Sequence, residues 1–204
     1  MGLPELSHRK GRNLGMTVLV DHTARRNAIL ERAFELFARE GFAGVTYQKI
    51  ASRCGISRTT IYKYFRDKEQ IFNFAVRQAT DKMSGLVAKV VDRDDLSPVE
   101  KIRRVLHLTL KLLSENRVFL TVVLDYLITQ KASGGDVRKK VRRNTFGMRI
   151  VLSRLIQDGI RLGLLRKIDS DSAAWHLYSL LESYVLNLTV IDAMDWRGSL
   201  ALFV

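Results

Sequence analysis

The 204-residue sequence predicts an all-α fold of about nine helices. Apolar residues recur at helical spacing along almost the whole chain, which is the primary sign of amphipathic helices. The chain contains only two prolines, and a proline inside a helix costs roughly 3 kcal/mol or more. The apolar runs that could form strands all lie inside longer patterns of helical period, so no strand is predicted.

The first part of the chain predicts a short arm followed by four helices. Residues 1–22 are basic and lack helical periodicity, which predicts a flexible N-terminal arm. Thr23 is the predicted N-cap of the first helix, and Gly41 is its predicted stop. The four helices are predicted over 24–40, 46–53, 57–64 and 67–82, and residues 23–80 are expected to form one domain.

The second part, residues 81–204, predicts a further helical domain. A polar seam at 92–95 precedes Ser97 and Pro98, a strong helix start because serine caps and proline fits the first helical position. Ser170 is the predicted cap of the last long helix. The long helices of this domain are predicted over 97–113, 117–130, 136–162 and 170–193.

The charge balance suggests a polyanionic partner. The chain has 34 Lys and Arg against 21 Asp and Glu, a net charge of +13. Residues 1–80 carry seven more basic than acidic side chains. An ordinary basic surface is the alternative. A second basic block, 131–149, is compatible with a solvated face, an acidic ligand or partner, or a distal DNA contact.

Several classes of protein do not fit the composition. One cysteine excludes an intrachain disulfide, and Cys54 is expected to be a small buried residue, with a redox switch as the alternative. No stretch of about 20 apolar residues occurs, so we expect a cytoplasmic protein without a membrane span. Scattered histidines predict no metal site. Without a glycine-rich phosphate loop or a nucleophile elbow, we expect no enzyme, no catalytic residue and no cofactor.

The stretch Thr46–Phe72 carries the main functional signal. Two short helices flank Cys54-Gly55-Ile56, a spacing that predicts a helix-turn-helix. The second of these helices leaves polar side chains exposed, and such side chains can contact base edges in the major groove. Basic residues and free backbone N–H groups at neighbouring helix starts can bind phosphates. The predicted DNA contacts are Arg25, Arg26, Thr46, Tyr47, Ser57, Arg58, Thr59, Thr60, Tyr62, Lys63, Tyr64 and Lys68.

A set of residues at fixed spacings spans residues 24–76: Phe37, Gly41-Phe42, Val45-Thr46, Ile50-Ala51, Gly55-Ile56-Ser57, Ile61-Tyr62, Tyr64-Phe65 and Lys68-Glu69. With this pattern, the segment resembles the N-terminal domain of TetR-type transcriptional regulators. Two positions depart from the family pattern: Cys54 replaces a frequent alanine, and Tyr47 is bulkier than usual. The resemblance implies that residues 81–204 form a helical domain for ligand binding and dimerisation.

This implied domain supplies candidates for two further sites. The last helix is apolar on more than one stripe, which suggests burial against a second subunit. The predicted dimer contacts are Ile150, Leu155, Trp175, Leu181, Tyr184 and Leu188. The predicted pocket for an apolar or amphipathic small molecule is lined by His107, Leu110, Phe119, Val123, Tyr126, Met148 and Tyr178.

The sequence therefore predicts a dimeric transcriptional repressor that a small-molecule ligand releases from an inverted-repeat operator in double-stranded DNA. A two-fold dimer presents its two DNA-contacting helices about one helical turn of DNA apart, ~34–36 Å. The alternative hypothesis is a structural or spatial DNA-binding protein that recruits a protein partner and has no small-molecule effector.

Overall fold

The computed structural model describes the backbone of residues 11–191 and the side chains of 22–137 and 147–190. Within residues 11–191 every regular element is a helix, which confirms the predicted all-α fold. The elements are α1 Gly11–Gly44, α2 Tyr47–Cys54, α3 Arg58–Tyr62, α4 Lys68–Val91, α5 Pro98–Glu115, α6 Arg117–Ala132, α7 Val137–Arg161, α8 Ser170–Leu186 and a π-helical turn Asn187–Ile191. Among the described helices, none is long and apolar enough to cross a membrane.

Local capping explains where the short N-terminal helices start. The side-chain oxygens of Thr46, Ser57 and Asp67 accept backbone N–H groups three residues further on, at 3.3, 3.0 and 2.7 Å. Each bond satisfies an N–H that has no partner within the helix. Gly55 ends α2 in a left-handed conformation, with φ 65°. These four residues confirm the predicted bounds of α2 and the predicted starts of α3 and α4.

The structure corrects three helix bounds. Residues 11–22 form the first turns of α1 and not the predicted flexible arm. Thr23 therefore lies inside this helix and is not its N-cap. This segment contains no proline, and the ring of His22 packs against Tyr64 in a tilted arrangement with centroids 4.6 Å apart, a contact that periodicity does not reveal. Helix α4 extends to Val91 rather than 82, and Asp169, not Ser170, caps α8. Residues 1–10 and 192–193 lie outside the described residues.

Two hydrophobic cores organise the chain. The N-terminal core consists of buried side chains from α1 to α4 and from α6: Ile29, Leu30, Ala33, Phe37, Phe42, Val45, Ile50, Ala51, Ile61, Phe65, Ile71, Phe72, Val122 and Tyr126. The C-terminal core joins α4, α5, α7 and α8 through Val87, Val105, Leu152, Leu155, Ile156 and Ala174. Helix α4 therefore contributes to both cores, and α6 contributes to the core of the N-terminal helices.

Candidate nucleic-acid interface

Helices α2 and α3 form a helix-turn-helix. The turn is closed by hydrogen bonds from the Gly55 amide to Ser52 O at 3.1 Å and from the Ile56 amide to Ala51 O at 3.1 Å. Ile50 and Ile61 are fully buried and fasten the two helices to the N-terminal core. Because the inner face is fixed in this way, the opposite face of α3 is presented to solvent in a defined orientation.

The exposed face of α3 carries polar and aromatic groups. Arg58, Thr59 and Lys63 are exposed, and Tyr62 is 48% exposed. The guanidinium group of Arg58 donates to the Tyr62 hydroxyl at 3.1 Å, which keeps both side chains on one side of the helix. These groups are the donors, acceptors and methyl groups that direct contact with base edges requires.

The caps of α2 and α3 bring further hydroxyls to this face. Ser57 Oγ lies 2.9 Å from Thr59 Oγ1 and 2.8 Å from Thr60 Oγ1. Thr46 is exposed at the start of α2, and Arg25 is exposed on α1. The structure thus groups Ser57, Arg58, Thr59 and Thr60 at the start of α3.

Lys68 does not fit the prediction of a free phosphate anchor. Its ammonium group donates to the carbonyl oxygens of Phe42 and Val45 at 2.7 and 2.9 Å, and it lies 4.6 Å from the centre of the Phe42 ring. Burial lowers the pKa of Lys68. The cation therefore serves the carbonyl groups at the end of α1, a favourable place for positive charge.

Arg26 also differs from its predicted role. Its guanidinium group lies 4.0 Å from the centre of the Phe74 ring and 4.9 Å from that of Phe65. Such cation–π contacts hold the side chain against the N-terminal core. Neighbouring Arg25 remains exposed, so only one of the two arginines is free to reach a phosphate.

Two predicted tyrosine contacts are partly engaged within the fold. The hydroxyl of Tyr47 donates to the carbonyl of Phe65, and its ring packs against Tyr62 with centroids 4.9 Å apart. Burial raises the pKa of Tyr47. Tyr64 is half-buried against His22. The bulk of Tyr47 is thus explained by a bridge between α2 and the end of α3 rather than by a phosphate contact.

An ion pair between α1 and α2 was not predicted from the sequence. Arg53 Nη2 lies 2.9 Å from Glu35 Oε2, and this hydrogen bond holds the pKa of Glu35 below its usual value, with Arg32 adding to the effect. Both side chains are nearly half exposed, so the pair adds little stability. It joins Arg53 of α2 to Glu35 of α1.

The predicted pocket residues are distributed differently from the expectation. Phe119, Val123 and Tyr126 face the N-terminal core: Phe119 stacks on Phe34 at 5.3 Å, and Tyr126 is 1% exposed. His107 is exposed and Leu110 is half-buried, while Tyr178 is half-buried on α8 beside Glu182. Only Met148 among the seven lines the cavity described below.

That cavity is a groove of about 660 Å³ between α4 and α7, and it is half open to solvent. Helical periodicity predicts that α4 ends at 82, before the middle of the cavity, so it gives no sign of this lining. Its lining residues are Val76, Arg77, Thr80, Asp81, Met83, Ser84, Val87, Ala88, Val91, Asp92, Gly147, Met148 and Val151.

The predicted dimer contacts are also mostly internal. Leu155, Leu181, Tyr184 and Leu188 are at most 8% exposed within a single chain, because α7 and α8 pack against each other and against α5. Trp175 is 47% exposed, and Ile150 is half-buried. The apolar residues that α8 presents to solvent are Trp175, Leu180 and Leu186, of which only the first was predicted.

Comparison with known proteins agrees with this geometry. Residues 29–74 match the family described as bacterial regulatory proteins of the tetR family. The transcriptional regulator RutR of Escherichia coli O157:H7 is 24% identical over 167 residues, covering 79% of this chain and 74% of RutR. RutR of strain K12 is 32% identical over 89 residues, but that match covers only 41% of its length.

Solved structures extend the similarity beyond the N-terminal helices. A fatty acid metabolism regulator from Clostridium perfringens has 25% identity and a TM-score of 0.67, covering 86% of this chain and 94% of that one. AibR in complex with isovaleryl coenzyme A and operator DNA has 22% identity and a TM-score of 0.62, covering 84% and 88%.

The fold and the exposed α3 face define a helix-turn-helix DNA-binding protein. Together with the matches above, they support a TetR-type transcriptional regulator, with the family match itself confined to residues 29–74.

Proposed function

We propose that the protein is a dimeric repressor that leaves an inverted-repeat operator when a small molecule occupies the cavity between α4 and α7. One observation carries this proposal: α4 lines the cavity from Val76 to its end at Val91, and it begins at Lys68, a few residues after α3 ends at Tyr62. A ligand that shifts α4 therefore acts on the element that positions α3.

The proposed DNA contacts follow from position and exposure. Exposed Arg58 and Thr59 and half-buried Thr60 are the proposed base contacts, since they stand at the start of α3, the end that enters the major groove in this motif. Arg25 and Lys63 are the proposed phosphate contacts, because both are exposed and basic.

The chemistry of the cavity suits an amphipathic ligand. Its volume of about 660 Å³ is within the ~300–1,000 Å³ of typical small-molecule sites. Val87, Met148 and Val151 supply apolar surface, while Arg77 and Asp92 supply charge. The similar structure of AibR holds isovaleryl coenzyme A, an acyl chain joined to a polar carrier, and this supports acyl-coenzyme A thioesters as first probes.

The mechanism is a population shift. The ligand binds better to a state in which the two helix-turn-helix units of the dimer are at the wrong spacing, so affinity for DNA falls by the same coupling factor. A typical coupling free energy is about 1–3 kcal/mol. The dimer itself forms through the exposed face of α8, where Trp175 and Leu186 lie three helical turns apart on one side.

The test uses a duplex that the wild-type protein selects from random DNA, with binding followed by fluorescence anisotropy. Acyl-coenzyme A thioesters of increasing chain length, and free coenzyme A, are titrated into the complex. We expect release by a thioester in the wild type and in Gln78→Trp, which changes an exposed residue of α4 outside the cavity lining. In Ala88→Trp the indole ring fills the cavity and excludes the ligand. We therefore expect this variant to bind DNA but to resist release by the thioester.

The alternative function predicts a different outcome. A structural DNA-binding protein remains bound to DNA in the presence of every thioester, and Ala88→Trp then behaves as the wild type does. Release that Ala88→Trp does not alter contradicts the cavity as the effector site.

A further inference from the structure

Helix α6 is packed into the core of the DNA-binding helices. Val122 and Tyr126 are each 1% exposed. The Tyr126 ring stacks on Phe72 of α4 with centroids 3.9 Å apart and meets Phe42 edge-on at 4.7 Å. Its hydroxyl lies 2.7 Å from Glu69 Oε1. A helix from the C-terminal part of the chain thus shares one close-packed interior with α1 and α4.

The neighbouring residue on α6 reaches the backbone. The carboxylate of Asp125 accepts a hydrogen bond from the amide of Phe42 at 2.6 Å, although the two residues are 83 positions apart in the sequence. Gly41 leaves room for this contact: its φ is 71°, and a Cβ there would lie 3.4 Å from Asp125 Oδ2. The left-handed conformation and the close approach both favour glycine.

Two helices therefore hold the same residue in the last turn of α1, shortly before α2 begins. Asp125 of α6 accepts from the Phe42 N–H, and Lys68 of α4 donates to the Phe42 carbonyl at 2.7 Å. Lys68 also donates to Val45 O at 2.9 Å, and Thr46, the N-cap of α2, follows at once. The position of the helix-turn-helix is thus fixed relative to α6 as well as to α4.

We propose that Asp125 is a positioning residue for DNA binding, through which α6 sets the start of the helix-turn-helix. The inference rests on the proposed DNA-binding function. In this role Asp125 acts without a DNA contact of its own: it holds the Phe42 amide in the last turn of α1, four residues before Thr46 caps α2. A displacement of α6 relative to α4 pulls on the Phe42 amide and moves both short helices together.

The variants separate this role from a general loss of fold. Asp125→Ala removes the acceptor and leaves a buried amide without its partner. Asp125→Asn keeps an acceptor oxygen at the same place, so it is the rescuing variant. Asp125→Glu keeps the charge but displaces it by one methylene. Ile128→Ala is the matched control, because Ile128 is 68% exposed on the same helix.

The experiment measures binding of each variant to the duplex selected by the wild type and to an unrelated duplex, at several salt concentrations. We expect Asp125→Ala to bind the selected duplex about tenfold more weakly, the order of effect of an orphaned buried donor. Asp125→Asn and Ile128→Ala should bind as the wild type does. The salt dependence should be the same for every variant, because no phosphate contact is lost.

The outcomes are decisive. Wild-type affinity in both Asp125→Ala and Asp125→Glu overturns the proposal, and so does a reduced salt dependence in either. If thermal unfolding shows that Asp125→Ala does not fold, weaker selective binding by folded Asp125→Glu supports the proposal, and wild-type binding overturns it. If the wild type itself selects no duplex, the proposed function fails first.

Discussion

The ammonium group of Lys68 lies 2.7 Å from the carbonyl oxygen of Phe42, at the point where α1 ends. The group also reaches Val45 O at 2.9 Å. Sequence position alone suggests a phosphate contact, since Lys68 begins a helix next to the helix-turn-helix. The geometry instead gives the cation an internal role, because its hydrogen bonds go to the chain.

This role has a measurable consequence in salt. Log affinity falls as log salt concentration rises, and each phosphate contact that is lost reduces the magnitude of this slope by about one. We expect Lys68→Ala to weaken binding to all DNA without changing that slope, because the turn loosens but no phosphate contact disappears. Lys63→Ala, which removes an exposed cation, should lower the slope by about one. A slope of smaller magnitude in Lys68→Ala would contradict the internal role and indicate that Lys68 contacts a phosphate.

Side chains that contact bases should contribute more to binding of the selected duplex than to binding of unrelated DNA. We expect Arg58→Ala and Thr60→Ala each to cost about 1–3 kcal/mol on the selected duplex and much less on unrelated DNA. Arg66→Ala is the control, since Arg66 is 86% exposed but lies beyond α3. Competition binding with the two duplexes measures the difference. Equal losses on both duplexes would contradict the assignment of these side chains to base edges.

Arg25 and Arg26 are adjacent on α1, but we expect their substitutions to change different properties of the protein. Arg26→Ala removes the guanidinium group that packs on Phe65 and Phe74. We expect the free energy of unfolding to fall by about 0.5–2 kcal/mol, the range of cation–π contacts. Arg25→Ala should leave stability unchanged and lower the salt slope of DNA binding. Chemical denaturation of the two variants side by side tests this, and equal stabilities would argue against the packing role of Arg26.

The exposed face of α8 should control the oligomeric state. Trp175→Glu and Leu186→Glu place charge on this face, and we expect both to give monomers in sedimentation velocity at micromolar concentration. Val118→Glu changes an apolar residue of α6 that is 64% exposed, so it should remain dimeric. Leu155→Ala should instead lower stability by about 2–5 kcal/mol, because Leu155 is buried within the chain. A wild-type monomer would remove the basis of this prediction.

The starts of α2, α3 and α4 were predictable because their signals are local. Thr46, Ser57 and Asp67 each cap a helix through an N–H only three residues away. The exposed face of α3 follows from the same local pattern, since fully buried Ile61 fixes which side of the helix points inward.

Contacts between distant parts of the chain were not predictable. The hydrogen bond between Phe42 and Asp125 joins residues 83 positions apart, and no local sequence pattern predicts such a pair. Helical periodicity shows that Leu181 and Tyr184 are buried, but it does not say whether the neighbour belongs to the same chain. Tyr126 is a similar case, because an aromatic residue in a helix suits a pocket and a core equally well.

The central claim is that two copies of this helix-turn-helix bind a symmetric DNA site. The most direct measurement is sequencing of the DNA that the full-length protein retains from a random library. We expect an inverted repeat whose half-site centres are about one helical turn apart, ~10 base pairs, the spacing of a two-fold dimer. The enriched motif should vanish with Arg58→Ala. A library without an enriched motif, or a single unrepeated half-site, would contradict the claim.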